Sequence, residues 1–209
     1  MKRHPEGTKR IARVVSKLLH PYVCLPVVVA LIAYGASSSL GVAIKWTVVG
    51  LLSAYLFPFL YLYRQAKIAA VAQTATAQVL YGVAHILREK PNEMSIVACL
   101  FGIFSVPLLY ILGSPPGIIA TMVGVTITML LIAQVNRIYR ASFHLAFLTS
   151  MAVSLGIILG LSWLIIAPFI VLLGLFRYHL GHHTPAQLVV ALLVGSAVTI
   201  PILSMFGFL

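Results

Sequence analysis

Acidic residues are almost absent from this chain. Among its 209 residues there is no aspartate, and the only acidic side chains are Glu6, Glu89 and Glu93. Charged residues of both signs make up 8% of the sequence, whereas soluble domains carry about 25%. Because 61% of the residues are hydrophobic, so little charge cannot keep a globule of this size in water. The composition excludes an ordinary soluble domain and predicts an integral membrane protein.

The scarcity of carboxylates and of cysteine also restricts the chemistry. Mg²⁺ binds through carboxylate oxygens, which argues against membrane reactions that hold this ion on paired aspartates, such as prenyl transfer or CDP-alcohol phosphotransfer. The two cysteines, Cys24 and Cys99, both lie in apolar runs, which argues against a disulfide framework and against a zinc knuckle. We expect no metal and no other cofactor.

Apolar runs divide the chain into segments that approach the length of about 20 residues needed to cross a membrane. The pattern predicts an all-α, polytopic helical bundle of six to seven transmembrane helices, in a single domain over 1–209 of a cell-membrane protein. The basic segment 1–18 resembles the start of a signal peptide, and we expect the run that follows it to be retained as an anchor. The runs lie at roughly 19–36, 42–63, 95–112, 116–135, 141–160, 162–176 and 186–207.

The cations are distributed unevenly between the connections. With the N-terminus in the cytoplasm, every lysine and arginine except Lys45 falls on the cytoplasmic side. Such enrichment is typical of membrane topology, so the net charge of +11 does not indicate nucleic-acid binding. Segment 66–87 is only moderately apolar, and we predict an interfacial or partly buried helix there rather than an eighth span. The sequence leaves the oligomeric state open.

Two polar stretches stand at predicted helix starts on this side, at 140–144 (RASFH) and 177–187 (RYHLGHHTPAQ). Ionisable groups at membrane depth are costly and are therefore functional candidates. A helix N-terminus favours an anion, and Thr184 and Pro185 suit the cap and the first position of a helix. Cations and imidazoles at helix starts, without a carboxylate, predict a phosphate site rather than a metal site.

The spacing in these stretches resembles that of the type 2 phosphatidic-acid phosphatase superfamily, which also contains vanadium haloperoxidases. In its third motif, arginine is followed after five residues by histidine and after three more by aspartate; here Arg177, His183 and Gln187 stand at these positions. Its second motif, Pro-Ser-Gly-His, is matched by Ser142 and His144.

Other positions extend this resemblance to roughly residues 88–190. Arg140 stands where some members place a cation ahead of the second motif, and Lys90, with Arg88 close by, stands at the end of the first motif. The chain departs from the family where Phe143 replaces glycine, where Val83 replaces the first-motif lysine, and where Gln187 replaces aspartate.

The resemblance implies a metal-independent lipid phosphatase, a membrane hydrolase of lipid metabolism. Its substrate would be a phosphate monoester or diphosphate of a phosphatidate-like or isoprenoid lipid. His183 would attack phosphorus and form a phosphohistidine, His144 would protonate the leaving alkoxide, and Gln187 would orient the His183 ring by accepting its other N–H. The phosphate oxygens would be bound by Arg177, Arg140, Ser142, Lys90 and Arg88.

Several alternatives stay open at this point. Phe143 and Gln187 favour a catalytically impaired relative that binds or transports a lipid phosphate. The arginines at 140 and 177 could serve only as topology anchors. A helical arrangement of His179, His182 and His183 could bind a transition metal, and a haem-binding bundle using His144 and His183 would show its colour on purification.

Overall fold

The computed structural model describes residues 21–71, 91–160, 163–179, 181 and 183–209. Within these ranges the regular structure consists of seven α-helices without a strand, which confirms the all-α prediction. Each helix coincides with one of the seven apolar runs. They are α1 Pro21–Ser37, α2 Leu40–Val71, α3 Pro91–Ile111, α4 Pro116–Val135, α5 Phe143–Ile158, α6 Trp163–His179 and α7 Pro185–Met205.

Three stretches are long and apolar enough to cross a membrane: Leu40–Gln65, Pro116–Val135 and Pro185–Met205. At 1.5 Å per residue, a helix of about 20 residues matches the roughly 30 Å of hydrocarbon in a bilayer. In the other four helices the described apolar stretches are shorter, namely Val23–Ser37, Ser95–Ile111, Phe143–Ile158 and Ile170–His179. Large apolar side chains such as Leu52 and Leu193 are exposed on the outer faces of the bundle, as suits contact with lipid. These features indicate a membrane protein.

The end of α2 differs from the prediction. The apolar run was expected to stop near residue 63, with a separate interfacial helix over 66–87, but α2 continues without interruption to Val71. Residues 66–71 are therefore part of the same helix, and residues 72–90 lie outside the described part of the chain. Alanine, lysine and isoleucine support a helix beyond the point where hydropathy falls.

Helices α5 and α7 lie side by side and run in the same direction. A Cβ atom added at Gly195 of α7 would lie 2.7 Å from the carbonyl oxygen of Ala146 in α5, so the two backbones are in close contact. One turn further along, the Thr199 hydroxyl donates to Ser150 Oγ at 2.7 Å. Because the residue numbers of the contacting pairs increase in the same direction on both helices, the pair is parallel and both N-termini lie at the same end.

The remaining helices alternate in direction around this pair. A Cβ atom at Gly117, near the start of α4, would lie 3.1 Å from Ile158 at the end of α5, so these helices are antiparallel. At the other end of α4, the Gln134 side-chain amide donates to Ser95 Oγ of α3 at 3.2 Å. Helix α6 returns along α5, since a Cβ atom at Gly174 would lie 3.9 Å from the Leu145 side chain.

Helices α1 and α2 complete the bundle as an antiparallel pair. Gly50 of α2 packs against Val29 of α1 and Met122 of α4, while Ile32 of α1 lies against Gly117 at the start of α4. The start of α1 and the end of α2 therefore lie at the same end of the bundle as the starts of α5 and α7.

The bundle has two ends of different character. We name the end with the helix starts at Ser142 and Thr184 the cap end, and the end with the connections at Ser38, Gly113 and Gly160 the turn end. Among the described cations only Lys45 lies toward the turn end. The cations at the cap end whose side chains are described are Arg64, Arg137, Arg140 and Arg177.

Candidate phosphate site at the cap end

Helix α5 begins with a capping serine. Ser142 has an extended backbone, and its Oγ accepts the backbone N–H of Leu145 at 3.4 Å. Serine favours this position because its oxygen satisfies one of the N–H groups that have no partner inside the helix. The bond uses a lone pair of the fully buried hydroxyl, so the O–H proton is still available as a donor.

Helix α7 begins with a capping box. Thr184 Oγ1 accepts the Gln187 backbone N–H at 3.4 Å, and Gln187 Oε1 accepts the Thr184 backbone N–H at 3.0 Å. Pro185 occupies the first turn, where a missing N–H costs nothing. The sequence Thr-Pro-Ala-Gln thus has the Ser/Thr-x-x-Glu/Gln form of this motif.

The capping box changes the interpretation of Gln187. The amide oxygen was expected to accept an N–H of the His183 ring, but the structure places it on the backbone N–H of Thr184. A glutamine side chain at this position is long enough to reach the backbone at the start of its own helix, so the cap forms without any tertiary contact. Gln187 therefore holds the helix start that follows His183.

The His183 ring contacts the other polar stretch. Its Nδ1 lies 3.3 Å from the backbone carbonyl oxygen of Arg140, which is 43 residues earlier in the sequence. Both atoms stand just ahead of a helix start, the carbonyl two residues before Ser142 and the ring one residue before Thr184. The two stretches identified from the sequence thus meet at the cap end.

Arg177 lies in the last turn of α6. It follows Gly174 by three residues and so shares the face that packs on Leu145, in the first turn of α5. Its side chain is half-buried, and its Nε is shielded from solvent without a hydrogen-bond partner among the described residues. A buried donor without a partner costs about 1–3 kcal/mol, and an oxyanion at this end would remove that cost.

The other predicted site residues are placed less completely. His144 is half-buried in the first turn of α5, two residues after its cap, and Phe143 pairs with the ring of Phe147 along the same helix. Lys90 and Arg88 lie outside the described residues. The structure thus brings Arg140, Ser142, His144, Arg177, His183 and Gln187 to one end of the bundle.

The electrostatics of the cap end favour an anion. Two parallel helices direct their N-termini, and with them the positive ends of their dipoles, to this end. Four cations whose side chains are described lie at this end. No group of three or more histidine, cysteine or acidic side chains within the described residues is arranged to hold a metal ion. The arrangement suits the binding of a phosphate or another tetrahedral oxyanion.

The contact of the Arg140 carbonyl oxygen with the His183 ring could not be recognised from residue types. The Arg140 carbonyl belongs to the backbone, and every residue has such a group. The capping box could be recognised from the Thr-x-x-Gln spacing.

In comparisons with known proteins, no family model, no curated protein and no solved structure matches the chain.

Proposed function

We propose that this protein is a membrane lipid phosphatase, a divergent member of the type 2 phosphatidic-acid phosphatase superfamily. It hydrolyses a phosphate monoester or diphosphate of a phosphatidate-like or isoprenoid lipid, without a metal ion. The observation that carries the proposal is the contact between His183 Nδ1 and the Arg140 carbonyl oxygen. It joins the two stretches that resemble the second and third family motifs, which lie far apart in the sequence.

In this proposal, each polar residue at the cap end has a separate task. His183 attacks phosphorus, the bond from phosphorus to the lipid oxygen breaks, and His144 gives its proton to that oxygen. Water then attacks the phosphohistidine, His144 takes a proton from it, and phosphate leaves with His183 restored. Arg140, Arg177 and Ser142, with Lys90 and Arg88 as further candidates, stabilise the charge on the equatorial oxygens.

We further propose a multi-pass topology of six to seven spans with a cytoplasmic N-terminus. Four of the five cations whose side chains are described lie at the cap end, and lysine and arginine are enriched on the cytoplasmic side of membrane proteins. The site therefore faces the cytoplasm. A phosphate headgroup at the mouth of an apolar bundle leaves the lipid tail in contact with the outer helix faces.

Phosphate release from purified protein tests the activity. A panel of phosphatidate, an isoprenoid monophosphate and an isoprenoid diphosphate is offered in detergent micelles with EDTA present. We expect release from at least one of them, a fall of about 10³-fold or more in His183→Ala, and a fall of about 10²-fold in His144→Ala.

His179→Ala is the matched control, since this imidazole lies in the same stretch but at the end of α6. It should retain most of the turnover. Equal loss in His179→Ala and His183→Ala, with both proteins folded, would contradict the assignment of the nucleophile.

A second candidate function is a relative that binds or transports a lipid phosphate without cleaving it. It is favoured by Gln187, whose amide supplies no carboxylate and whose oxygen serves the cap of α7, and by Phe143 in place of glycine. Vanadate binding without phosphate release from any lipid in the panel would favour this function over hydrolysis.

A further inference from the structure

We propose that the backbone carbonyl of Arg140 positions His183 by fixing the tautomer of its ring. A carbonyl oxygen only accepts hydrogen bonds, so the 3.3 Å contact with Nδ1 is a bond when Nδ1 carries the proton. A neutral imidazole has one N–H, and Nε2 is then the unprotonated nitrogen. Arg140 thus has a role through its main chain that is separate from its guanidinium.

Both partners of this bond are held by their own helix starts. On one side, the Ala141 backbone N–H donates to the Tyr139 carbonyl oxygen at 2.8 Å, Ala141 is buried, and Ser142 caps α5. On the other side, the residue after His183 is the first member of the capping box. The carbonyl and the ring are therefore presented by fixed backbone, which limits the loss of entropy when the bond forms.

The inference deepens the proposed function and rests on it for its catalytic consequence. An attacking histidine needs one unprotonated nitrogen, and the bond to Arg140 makes Nε2 that atom. In the family that this chain resembles, an aspartate at the position of Gln187 has the orienting task. Here the neutral backbone carbonyl of Arg140 orients the ring, and Gln187 caps α7. A carboxylate at 187 is then not required for orientation.

Ring ¹⁵N spectra of the parent protein test the tautomer without any substrate. The chain has seven histidines, so His183 is assigned by the signals that disappear in His183→Asn. At about pH 9, well above the ordinary histidine pKa of about 6.5, we expect a protonated Nδ1 and an unprotonated Nε2. A protonated Nε2, or an even mixture of the two forms, would overturn the inference.

Two amide substitutions test the bond through stability. In His183→Asn the side-chain nitrogen can take the place of Nδ1, whereas in His183→Gln it reaches the place of Nε2. The first variant therefore keeps a donor for the Arg140 carbonyl, and the second does not. We expect the Tm of His183→Asn to stay near that of the parent and the Tm of His183→Gln to fall by about 2–4 °C. Equal Tm values would count against a bond at Nδ1.

A backbone ester tests the carbonyl itself. Replacing Ala141 by lactic acid turns the carbonyl of Arg140 into an ester, which is a weaker acceptor, and removes the Ala141 N–H. The matched control is the hydroxy-acid analogue of Tyr139, which also removes one backbone bond of the connection, to the Val135 carbonyl oxygen, but leaves residue 140 as an amide. In the lactic-acid variant we expect a fraction of His183 with a protonated Nε2 and a turnover about tenfold lower. In the Tyr139 control we expect neither change.

Failure of this inference is distinguishable from failure of the proposed function. The spectra and the Tm values need no catalysis, so they decide the tautomer even in a protein that releases no phosphate. Conversely, unchanged phosphate release in His183→Ala would refute the nucleophile while leaving the tautomer as measured. An unchanged tautomer in the lactic-acid variant would overturn the role of the carbonyl.

Discussion

The chain reverses direction at both the cap end and the turn end of the bundle, but the two ends differ in their helix caps and in their cations. At the turn end the chain reverses through left-handed backbone at Ser38, Gly113 and Gly160, whose φ angles are 52°, 72° and 62°. Glycine adopts this conformation without steric cost, and no described cation lies in these connections. At the cap end the α6–α7 connection also has a left-handed glycine, Gly181, with a φ of 69°, but the helices α5 and α7 begin with side-chain caps at Ser142 and Thr184.

The comparison shows that reversing the chain needs no charge. The turn end has a single nearby cation among the described residues, Lys45, whose Nζ lies 4.7 Å from the ring centroid of Trp46. The cap end has four cations whose side chains are described, and one of them, Arg177, has a shielded Nε without a partner in the described part of the chain. The cations of the cap end therefore serve another purpose, either the orientation of the protein in the membrane or the binding of an anion.

Removing one cation from each end distinguishes these purposes and should have the largest effect. We expect Arg177→Ala to weaken vanadate binding by more than about tenfold, because a guanidinium forms paired bonds with tetrahedral oxyanions, and to lower turnover by about 10²-fold. Lys45→Ala should leave both within about twofold. Binding is measured by competition with phosphate release, or by calorimetry if the protein is inactive.

Unchanged vanadate affinity in Arg177→Ala would mean that this arginine only orients the protein in the membrane. The two ends would then differ in topology alone, and the phosphate site would lose its best-placed cation.

The helices could be predicted from the sequence because apolar runs of membrane length have few alternative structures. All seven described helices coincide with apolar runs, and three of them are long and apolar enough to cross a membrane. The end of α2 at Val71 could not be predicted in this way, because hydropathy marks where apolar contact ends, not where the helical backbone ends. Residues 66–71 are polar enough to leave the apolar run and still favour a helix.

The candidate site could be predicted in part. Thr184 was predicted as a helix cap and Ser142 as a residue at a helix start, and both are caps in the structure. Gln187 was predicted to orient the His183 ring, and in the structure its Oε1 accepts the Thr184 backbone N–H. An amide can reach either a neighbouring ring or its own first turn, and residue type does not distinguish the two. The Arg140 carbonyl could not be predicted at all, because contacts of the backbone across 43 residues depend on how the helices pack.

A second prediction asks whether the cap end depends on the close contact of α5 and α7. A Cβ atom at Gly195 would lie 2.7 Å from the Ala146 carbonyl oxygen, whereas one at Gly174 would lie 3.9 Å from the Leu145 side chain. We expect Gly195→Ala to lower the free energy of unfolding by about 1–3 kcal/mol and to reduce turnover, because it separates the helices that bear both caps.

Gly174→Ala is the matched control on α6. It should be neutral or gain up to about 1 kcal/mol, because alanine favours a helix over glycine. Thermal unfolding in detergent compares the two variants, and equal stability would mean that α5 and α7 separate without cost.

A third prediction compares a serine from each end. Ser142→Ala removes the cap of α5 and should cost about 1 kcal/mol of stability, with weaker vanadate binding because the buried hydroxyl is also lost as a donor. Ser37→Ala at the turn end removes a bond from the side chain to the Ala33 carbonyl oxygen of its own helix and an exposed 3.4 Å bond from the Ser39 backbone N–H, and should stay within about 0.5 kcal/mol of the parent. A loss at Ser37 as large as that at Ser142 would show that caps do not distinguish the ends.

The smallest effect is expected in the interior, where the parallel pair α5 and α7 is joined by a buried hydrogen bond. Thr199→Val removes the donor to Ser150 Oγ and keeps the shape of the side chain, and such bonds between membrane helices are worth about 0.6 kcal/mol on average. Thr47→Val, nearer the turn end, removes a bond within one helix, to the Ala43 carbonyl oxygen, and should cost less. If Thr199→Val also lowers turnover while Thr47→Val does not, the register of α5 against α7 controls the distance between Arg140 and His183. If stability falls and turnover does not, the caps alone maintain the cap end, and the difference between the two ends arises within their connections rather than in the helix packing below them.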